Sequence, residues 1–388
     1  MPGHSLEQLR ASNRRAITGL LAGSGPLSRA DLARRTGLSR TTVSTLVADL
    51  IASGHVEETS NRGTPYKGGS GRPPVLVALT TRPGGVAGVD IGHRHIRVAV
   101  ADRSGRIITE LEAAADTDTH GAPTLDQAAR MVTDAARQAG VTSESLLGAG
   151  MCVPGSIDRR SARIYGGILP GWRDLAPADE LESRLGIPVA VDNDANLGAI
   201  AEHHHGAAQG ASDVVYVKVA SGLGAGIVLG GRLHRGASGI AGEIGHVQIR
   251  EDGHVCRCGS RGCLETEVSA FRLLGLLRPA YDDDLDVDAM LELDAAGDPG
   301  VRRVLSDAGR TIGRALADLC TSLNPEAIVV GGSLGSSEAL VQGIRSAVDR
   351  YAHPDTAAAV RIGSGQLGDR AELVGAVTLA IARVASQD

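Results

Sequence analysis

Four residues late in the chain have the types and spacing of a metal site. His246, Cys256, Cys258 and Cys263 are separated by nine, one and four residues, and together offer one imidazole and three thiolates. Such a set suits a closed, four-coordinate structural zinc, one Zn2+ per chain. With every position taken by protein there is no place for a water nucleophile, so zinc-dependent hydrolysis is not expected. Three of the chain's five cysteines fall within eight positions, which favours a metal over a disulfide framework. The bland alternative is three reduced cysteines near a chance histidine. Cys152 and Cys320 lie on apolar segments and read as small buried hydrophobes. His203-His204-His205 falls inside an expected helix and reads as neither a tag nor a ligand set.

A second polar constellation is Asp192-Asn193-Asp194-Ala195-Asn196, which follows the apolar run Pro188–Asp192. Carboxylates and amides just beyond a strand end are where α/β proteins place hydroxyl-bearing ligands. A polar loop or helix cap explains the same residues. Glycine-rich turns come next. Asp90-Ile91-Gly92 ends an apolar strand, Ser221-Gly222-Leu223-Gly224-Ala225-Gly226 follows another, and Gly331-Gly332 a third. Bare backbone of this kind can cradle phosphate.

The elements needed to hold these groups alternate between strand and helix, so the body is α/β. Strands are expected at 85–91, 96–102, 106–112, 148–153 and 188–192, followed by a helix from about Asp194. A second series has strands at 213–220, 226–229 and 327–331, a loop-rich middle, a long helix near 301–323 and a closing helix from about Glu372. Two such series imply two lobes around a cleft. Their expected extents are 83–200 with the C-terminal helix, and 201–365.

Ahead of this body, residues 1–82 read as a winged helix-turn-helix. Residues 1–72 hold ten Lys/Arg against five Asp/Glu, a charge of +5 in a chain of net charge −6, leaving −11 on the remainder. A basic head on an acidic body is the footprint of a nucleic-acid reader. Helices are expected around 13–21, from Ser28 with Asp31 as its capping partner, and after Ser39 beyond a turn at Gly37. The third places Val43, Leu46, Val47 and Leu50 on one face, and Ser39, Arg40, Thr41, Thr42, Ser44 and Thr45 on the other. Short donors and an arginine suit a major-groove helix. Strands at 55–59 and 74–80 enclose a Gly- and Arg-rich wing over 61–72, whose Arg72 suits a minor groove. A small protein–protein module is the competing reading of the helices alone. No apolar run approaches about 18 residues and no signal-peptide core is present, which places the protein in the cytoplasm, with the nucleoid.

These segments, in this order, resemble the ROK family of repressors, open reading frames and sugar kinases. The resemblance runs through Asp90-Ile91-Gly92, Asp192 to Asn196, Ser221 to Gly226, Glu243-Ile244-Gly245-His246 and Cys256 to Glu265. The head resembles its transcriptional-regulator branch, of the xylose-repressor and N-acetylglucosamine-repressor type. The resemblance implies an actin/hexokinase-like (ribonuclease H-like) duplicated fold. It also implies that Asn193, Asp194, Glu243, His246 and Glu265 contact a hexose, with His246 using its other ring nitrogen on zinc. Asp194 corresponds to the kinases' catalytic base. Asp90, Gly92, Gly222, Gly224, Gly331 and Gly332 correspond to their nucleotide loops.

Departures from the kinase pattern lie on the phosphate side. Active members follow Asp-Ile-Gly with a further Gly and Thr, whereas here His93, Arg94 and His95 follow. Ser221 stands where kinases usually have Thr, and Ile168 where they often have Asn. The reading that fits is a repressor of carbohydrate metabolism: double-stranded operator DNA, an inverted repeat, bound by a homodimer or homotetramer, and a sugar or sugar-phosphate effector that is not turned over. A bifunctional ATP-dependent sugar kinase with a regulatory head is the alternative. A module sensing a phosphotransferase protein is the third.

Overall fold

The computed structural model describes residues 13–387, apart from 15, 22–23, 53–55, 63–73, 80–83, 143–144 and 166–168. The chain divides into two compact units, Met1–Gly84 and Gly85–Gln387. Most of the expected wing, including Arg72, lies outside the described residues, as does Ile168.

In the first unit, α1 is helical at residues 13–14 and 16–21, followed by β1 (Leu27–Ser28), α2 (Arg29–Thr36), α3 (Arg40–Ala52), β2 (Val56–Arg62) and β3 (Val75–Leu79). Ser28 caps α2: its hydroxyl accepts from Asp31 N at 3.1 Å while the Asp31 carboxylate accepts from Ser28 N at 3.3 Å. This reciprocal box satisfies two backbone donors that the first turn leaves without partners. Gly37, at φ 71°, makes the left-handed turn between α2 and α3, and Ser39 Oγ accepts from Thr42 N at 3.1 Å to open α3. The stripe Val43, Leu46, Val47 and Leu50 packs with Ile17, Leu21, Leu32, Val56 and Val77 into one core. The small sheet has the order β1-β3-β2, all antiparallel. Its two-residue β1 has too few residues for any alternation to announce it.

The second unit contains two sheets of matching topology. The first is built from β4 (Gly85–Ile91), β5 (His95–Asp102), β6 (Ile107–Ala114), α4 (Gly121–Gln138), β7 (Leu146–Val153), α5 (Pro177–Leu185), β8 (Val189–Asn193) and α6 (Asp194–His205). The second comprises β9 (Val214–Val219), β10 (Leu223–Leu229), β11 (Arg232–Leu233), α7 (Glu265–Val268), α8 (Ala270–Leu277), α9 (Val287–Ala295), α10 (Pro299–Leu323), β12 (Ala327–Gly331), α11 (Glu338–Tyr351), α12 (Pro354–Ala359) and β13 (Arg361–Ser364). The sheet orders are β6-β5-β4-β7-β8 and β11-β10-β9-β12-β13. Each is an antiparallel three-strand meander extended by two parallel strands. One plan used twice is the duplication that the two strand series implied.

Finally, α13 (Ala371–Gln387) returns to the first sheet, packing Leu373, Val377 and Ala380 on Val86, Ala99 and Ala101. The single tryptophan, Trp172, is fully buried in the first lobe and donates from Nε1 to Thr117 O at 2.7 Å. Two expectations need correction. The middle expected to be loop-rich carries α7, α8 and α9. The strand expected at 226–229 begins three residues earlier, at Leu223, so Gly224 joins Gly226 as a strand residue rather than lying in a loop before it. Gly226 is small because α6 crosses β10 there: a Cβ would stand 2.3 Å from Ala195 O.

Candidate functional site

The donor atoms of His246, Cys256, Cys258 and Cys263 all lie within 4.8 Å of one another. His246 comes from a 3-10 turn after Glu243, and Cys263 from the segment that leads into α7. Donors held tetrahedrally by zinc at about 2.3 Å for sulfur and about 2.0 Å for nitrogen lie about 3.7 Å apart sulfur to sulfur and about 3.5 Å apart nitrogen to sulfur. Cys258 Sγ is 3.7 Å from Cys263 Sγ, and Cys256 Sγ is 3.5 Å from His246 Nδ1. The residues therefore fit that ion. Burial and the neighbouring thiols push Cys263 up to about 12, a crowding that a divalent cation relieves. His246 Nε2 points the other way, 3.4 Å from Glu243 Oε2. A carboxylate on the free ring nitrogen fixes both tautomer and orientation.

The hydroxyl-binding candidates converge on this turn. Burial pushes the Glu243 carboxyl up, Ser156 and His246 pull it down, and the charges of nearby Asp194 and Glu265 push it up again. Ser156 Oγ donates to Glu243 Oε1, while Glu265 Oε2 accepts from Leu223 N at 3.1 Å. Asn193 ends β8 and caps α6, its side-chain oxygen accepting from Ala195 N at 2.9 Å and Asn196 N at 3.3 Å. Capping uses the side-chain oxygen and leaves the amide nitrogen, which has no hydrogen bond among the described residues. Asp192 is an anchor: Arg235 holds its Oδ2 at 2.6 Å and 2.7 Å, and its Oδ1 accepts from Asn196 Nδ2 at 2.8 Å. A cavity of about 520 Å³ bounded by Arg250, Asp252, Val255 and Arg272 borders the cysteine loop and includes none of the five candidates.

Beneath Asp194 lies a charged cluster the motifs did not announce. Lys218 Nζ, from β9, is 2.8 Å from Asp194 Oδ2 and 3.2 Å from Glu372 Oε1 of α13. Burial opposes its charge, but Asp194 and Glu372 outweigh that and hold the ammonium well above the usual lysine range. Burial pushes the Glu372 carboxyl up against the pull of Lys218. Asp90, at the end of β4, has Oδ2 3.1 Å from His95 Nε2. Burial raises its pKa, yet the His95 hydrogen bond and charge, with Lys218, bring it below the usual 3.8.

On the phosphate side the first turn is filled. The His95 ring lies against Gly92, where a Cβ would meet its Cε1 at 2.2 Å, and His93 Nδ1 is turned to Asp118 Oδ1 at 2.7 Å. Arg94 is exposed. Gly222 clears Glu265, and a Cβ at Gly224 would touch Ala195 at 3.3 Å. Gly331 closes β12 against Tyr216, and Gly332 follows at φ 77°. Several of these glycines thus have packing reasons independent of any phosphate.

On the head, Ser39, Arg40, Thr41, Ser44 and Thr45 are exposed on α3, with Thr42 half-buried beneath the Ser39 cap. Thr45 Oγ1 donates to Thr41 O at 3.1 Å. Arg29 and Arg34 pair with Glu58 and Asp31, and Arg35 donates to Ser24. Among the described residues Arg40 makes neither an ion pair nor a hydrogen bond, so its guanidinium is the one left to reach outward.

Comparison with known proteins follows these two units. The MarR family matches residues 19–64 and the ROK family residues 86–383. The xylose repressor of Bacillus subtilis (strain 168) is 28% identical, over 95% of this chain and 94% of that protein. The crystal structure of a ROK family transcriptional regulator, a homolog of the E. coli MLC protein, covers 97% of this chain and 96% of its own at a TM-score of 0.79. At 24% identity that likeness speaks for the fold alone. The ROK family glucokinase from Streptomyces griseus, in complex with glucose and AMPPNP, is 31% identical with a TM-score of 0.68. It covers 76% of this chain and 99% of its own. With a family match spanning most of its length, and a MarR-like head in front of it, the chain belongs to the ROK family.

Proposed function

We propose that the protein is a DNA-binding transcriptional repressor of carbohydrate metabolism, whose body binds a sugar effector and one structural zinc without turning the sugar over. The observation that carries this reading is a contrast within one cleft. Glu243 has His246, Asp194 and Glu265 as charged neighbours and Asn193 directly precedes Asp194, a set that would suit hydroxyls, while the Gly92 turn is covered by the His95 ring. Phosphoryl transfer depends almost wholly on positioning and charge stabilisation, so a filled phosphate turn is severe even with a base nearby. Zinc on His246, Cys256, Cys258 and Cys263 would supply a rigid clamp that orients Glu243 through the His246 ring. Full-length similarity to a xylose repressor supports the regulatory role, and among the described residues no helix is long and apolar enough to cross a membrane.

The head would place α3 in a major groove, with Arg40, Thr41 and Ser44 toward base edges and Arg72 toward a minor groove. Two heads of a homodimer, or of a dimer pair in a tetramer, would read an inverted repeat in the cytoplasm. The test measures operator affinity and ATP hydrolysis of the full chain against a panel of sugars. A sugar that changes operator affinity without turnover is expected. Sugar-dependent turnover on the order of 1 per second or faster would instead make the protein a kinase, as similarity to a glucokinase allows.

A further inference from the structure

Lys218 is the one charged residue in the strand Val-Val-Tyr-Val-Lys-Val, and it ends between two carboxylates from different elements. Asp194 Oδ2, at the first residue of α6, is 2.8 Å away, and Glu372 Oε1, on α13, is 3.2 Å away. Asp90 adds a third carboxylate to this neighbourhood and is itself met by His95 at 3.1 Å. Glu372 is buried, whereas Lys218 and Asp194 each keep 21% of their side-chain surface open. The partly open pair of the cluster is therefore Lys218 and Asp194, an ammonium and a carboxylate in contact.

We propose that Lys218 is an effector-binding residue and a built-in counter-ion in a site whose excess of carboxylates makes it selective for a neutral sugar over its phosphate ester and over a nucleotide's terminal phosphate. A sugar hydroxyl is both donor and acceptor, so one hydroxyl can donate to Asp194 and accept from Lys218. A phosphate dianion has no proton to donate to Asp194. It also meets three carboxylates, against one ammonium that Asp194 and Glu372 already hold. Like charges in a partly buried site repel strongly because water screens them poorly. The same ammonium occupies Asp194 Oδ2 with a hydrogen bond at 2.8 Å. Together with the ring of His95 over Gly92, it removes both halves of what phosphoryl transfer needs: an unencumbered base and an open phosphate turn. This inference rests on the sugar-sensing reading and narrows it to uncharged effectors.

Calorimetric titration of the full-length, zinc-loaded protein tests it. The probes are D-xylose, D-glucose and N-acetyl-D-glucosamine, their terminal phosphate esters, and AMPPNP with Mg2+. The expected result is that one neutral sugar binds, its ester binds at least about tenfold more weakly, and AMPPNP does not bind. Lys218→Arg should retain the sugar, while Lys218→Met should lose at least about tenfold in affinity, with thermal melts checking that both are folded. An ester that binds as tightly as its parent sugar overturns the proposal, as does a folded Lys218→Met that binds like the wild type. If no sugar of either kind binds, it is the sugar reading that fails, and AMPPNP alone decides the charge argument. Binding to the wild type, or no gain in a His95→Gly/Glu372→Gln double variant, then overturns the assignment; binding gained in that variant, which opens the turn and removes one repelling carboxylate, supports it.

Discussion

At the scale of single residues, two groups tie chemistry to stability. The sulfur and nitrogen spacings of His246, Cys256, Cys258 and Cys263 match those of a tetrahedral zinc, so the purified protein should contain about one zinc per chain. Cys258 is the exposed member of the set, so Cys258→Ser should release the expected metal with little loss of core packing. Its effect should travel through His246 to Glu243 and weaken sugar binding; elemental analysis with sugar titration checks both. Asp90 offers a pH signature. Its folded pKa lies below 3.8 because His95 and Lys218 favour the carboxylate over the cost of burial. A depressed carboxylate stabilises the folded state above its unfolded pKa and loses that contribution as the pH falls through the lower folded value. His95→Gln should therefore lower the melting temperature at neutral pH, and the two melting curves should converge below about pH 4 as Asp90 protonates. Equal melting temperatures at pH 7 would show that the pair contributes nothing.

At the scale of elements, α3 joins folding and recognition on one thirteen-residue segment. Its inner stripe, Val43, Leu46, Val47 and Leu50, is buried, and a 3.6-residue period then leaves Arg40, Thr41 and Ser44 outside. The Ser39 cap and the left-handed Gly37 turn set where the helix begins, and so which side chains stand at its leading end. Arg40 has no partner among the described residues, unlike Arg29 and Arg34, so its removal should leave the head folded. Arg40→Ala is expected to cost about 1–3 kcal/mol of operator affinity and to relax the base preference at one position. Gel-shift titrations on operator variants measure both, and an unchanged Kd would take Arg40 off the contact surface.

At the scale of the whole molecule, the candidate groups are contributed by both halves of the duplicated plan of two five-stranded sheets. Asp194 belongs to α6, Glu243 and His246 to the turn after the second meander, Lys218 to β9 and Glu372 to α13. A sugar held by such widely spaced segments has reason to prefer one arrangement of the lobes. A preference of a few kcal/mol is enough to change operator occupancy greatly. Asp194→Ala and Glu243→Ala should each abolish the response to sugar while leaving sugar-free operator binding nearly as in the wild type. Operator titrations with and without sugar read this out, and a variant that still responds would remove that residue from the effector site.

Much of this was legible in the order of residues, because some signals are local. Metal ligands crowded into 246–263 are specified by short-range spacing, and the α3 stripe, the Ser28–Asp31 box and the strand 327–331 follow from local periodicity and hydrogen bonding. Lys218 carried a local clue, a charge inside an apolar strand, but its partners are 24 and 154 positions away. Nothing along the chain announces Ser156 against Glu243, 87 positions apart, or Arg235 against Asp192, 43 apart. The glycines at 224 and 226 are the instructive case. In the sequence they read as a phosphate loop, yet they are strand residues made small by the passage of α6. Spacing and residue type report what neighbouring residues can do together. Which carboxylate meets which cation, and whether a glycine is open to a ligand or pressed against a helix, depends on contacts between distant segments that exist only once the two sheets and their helices have packed.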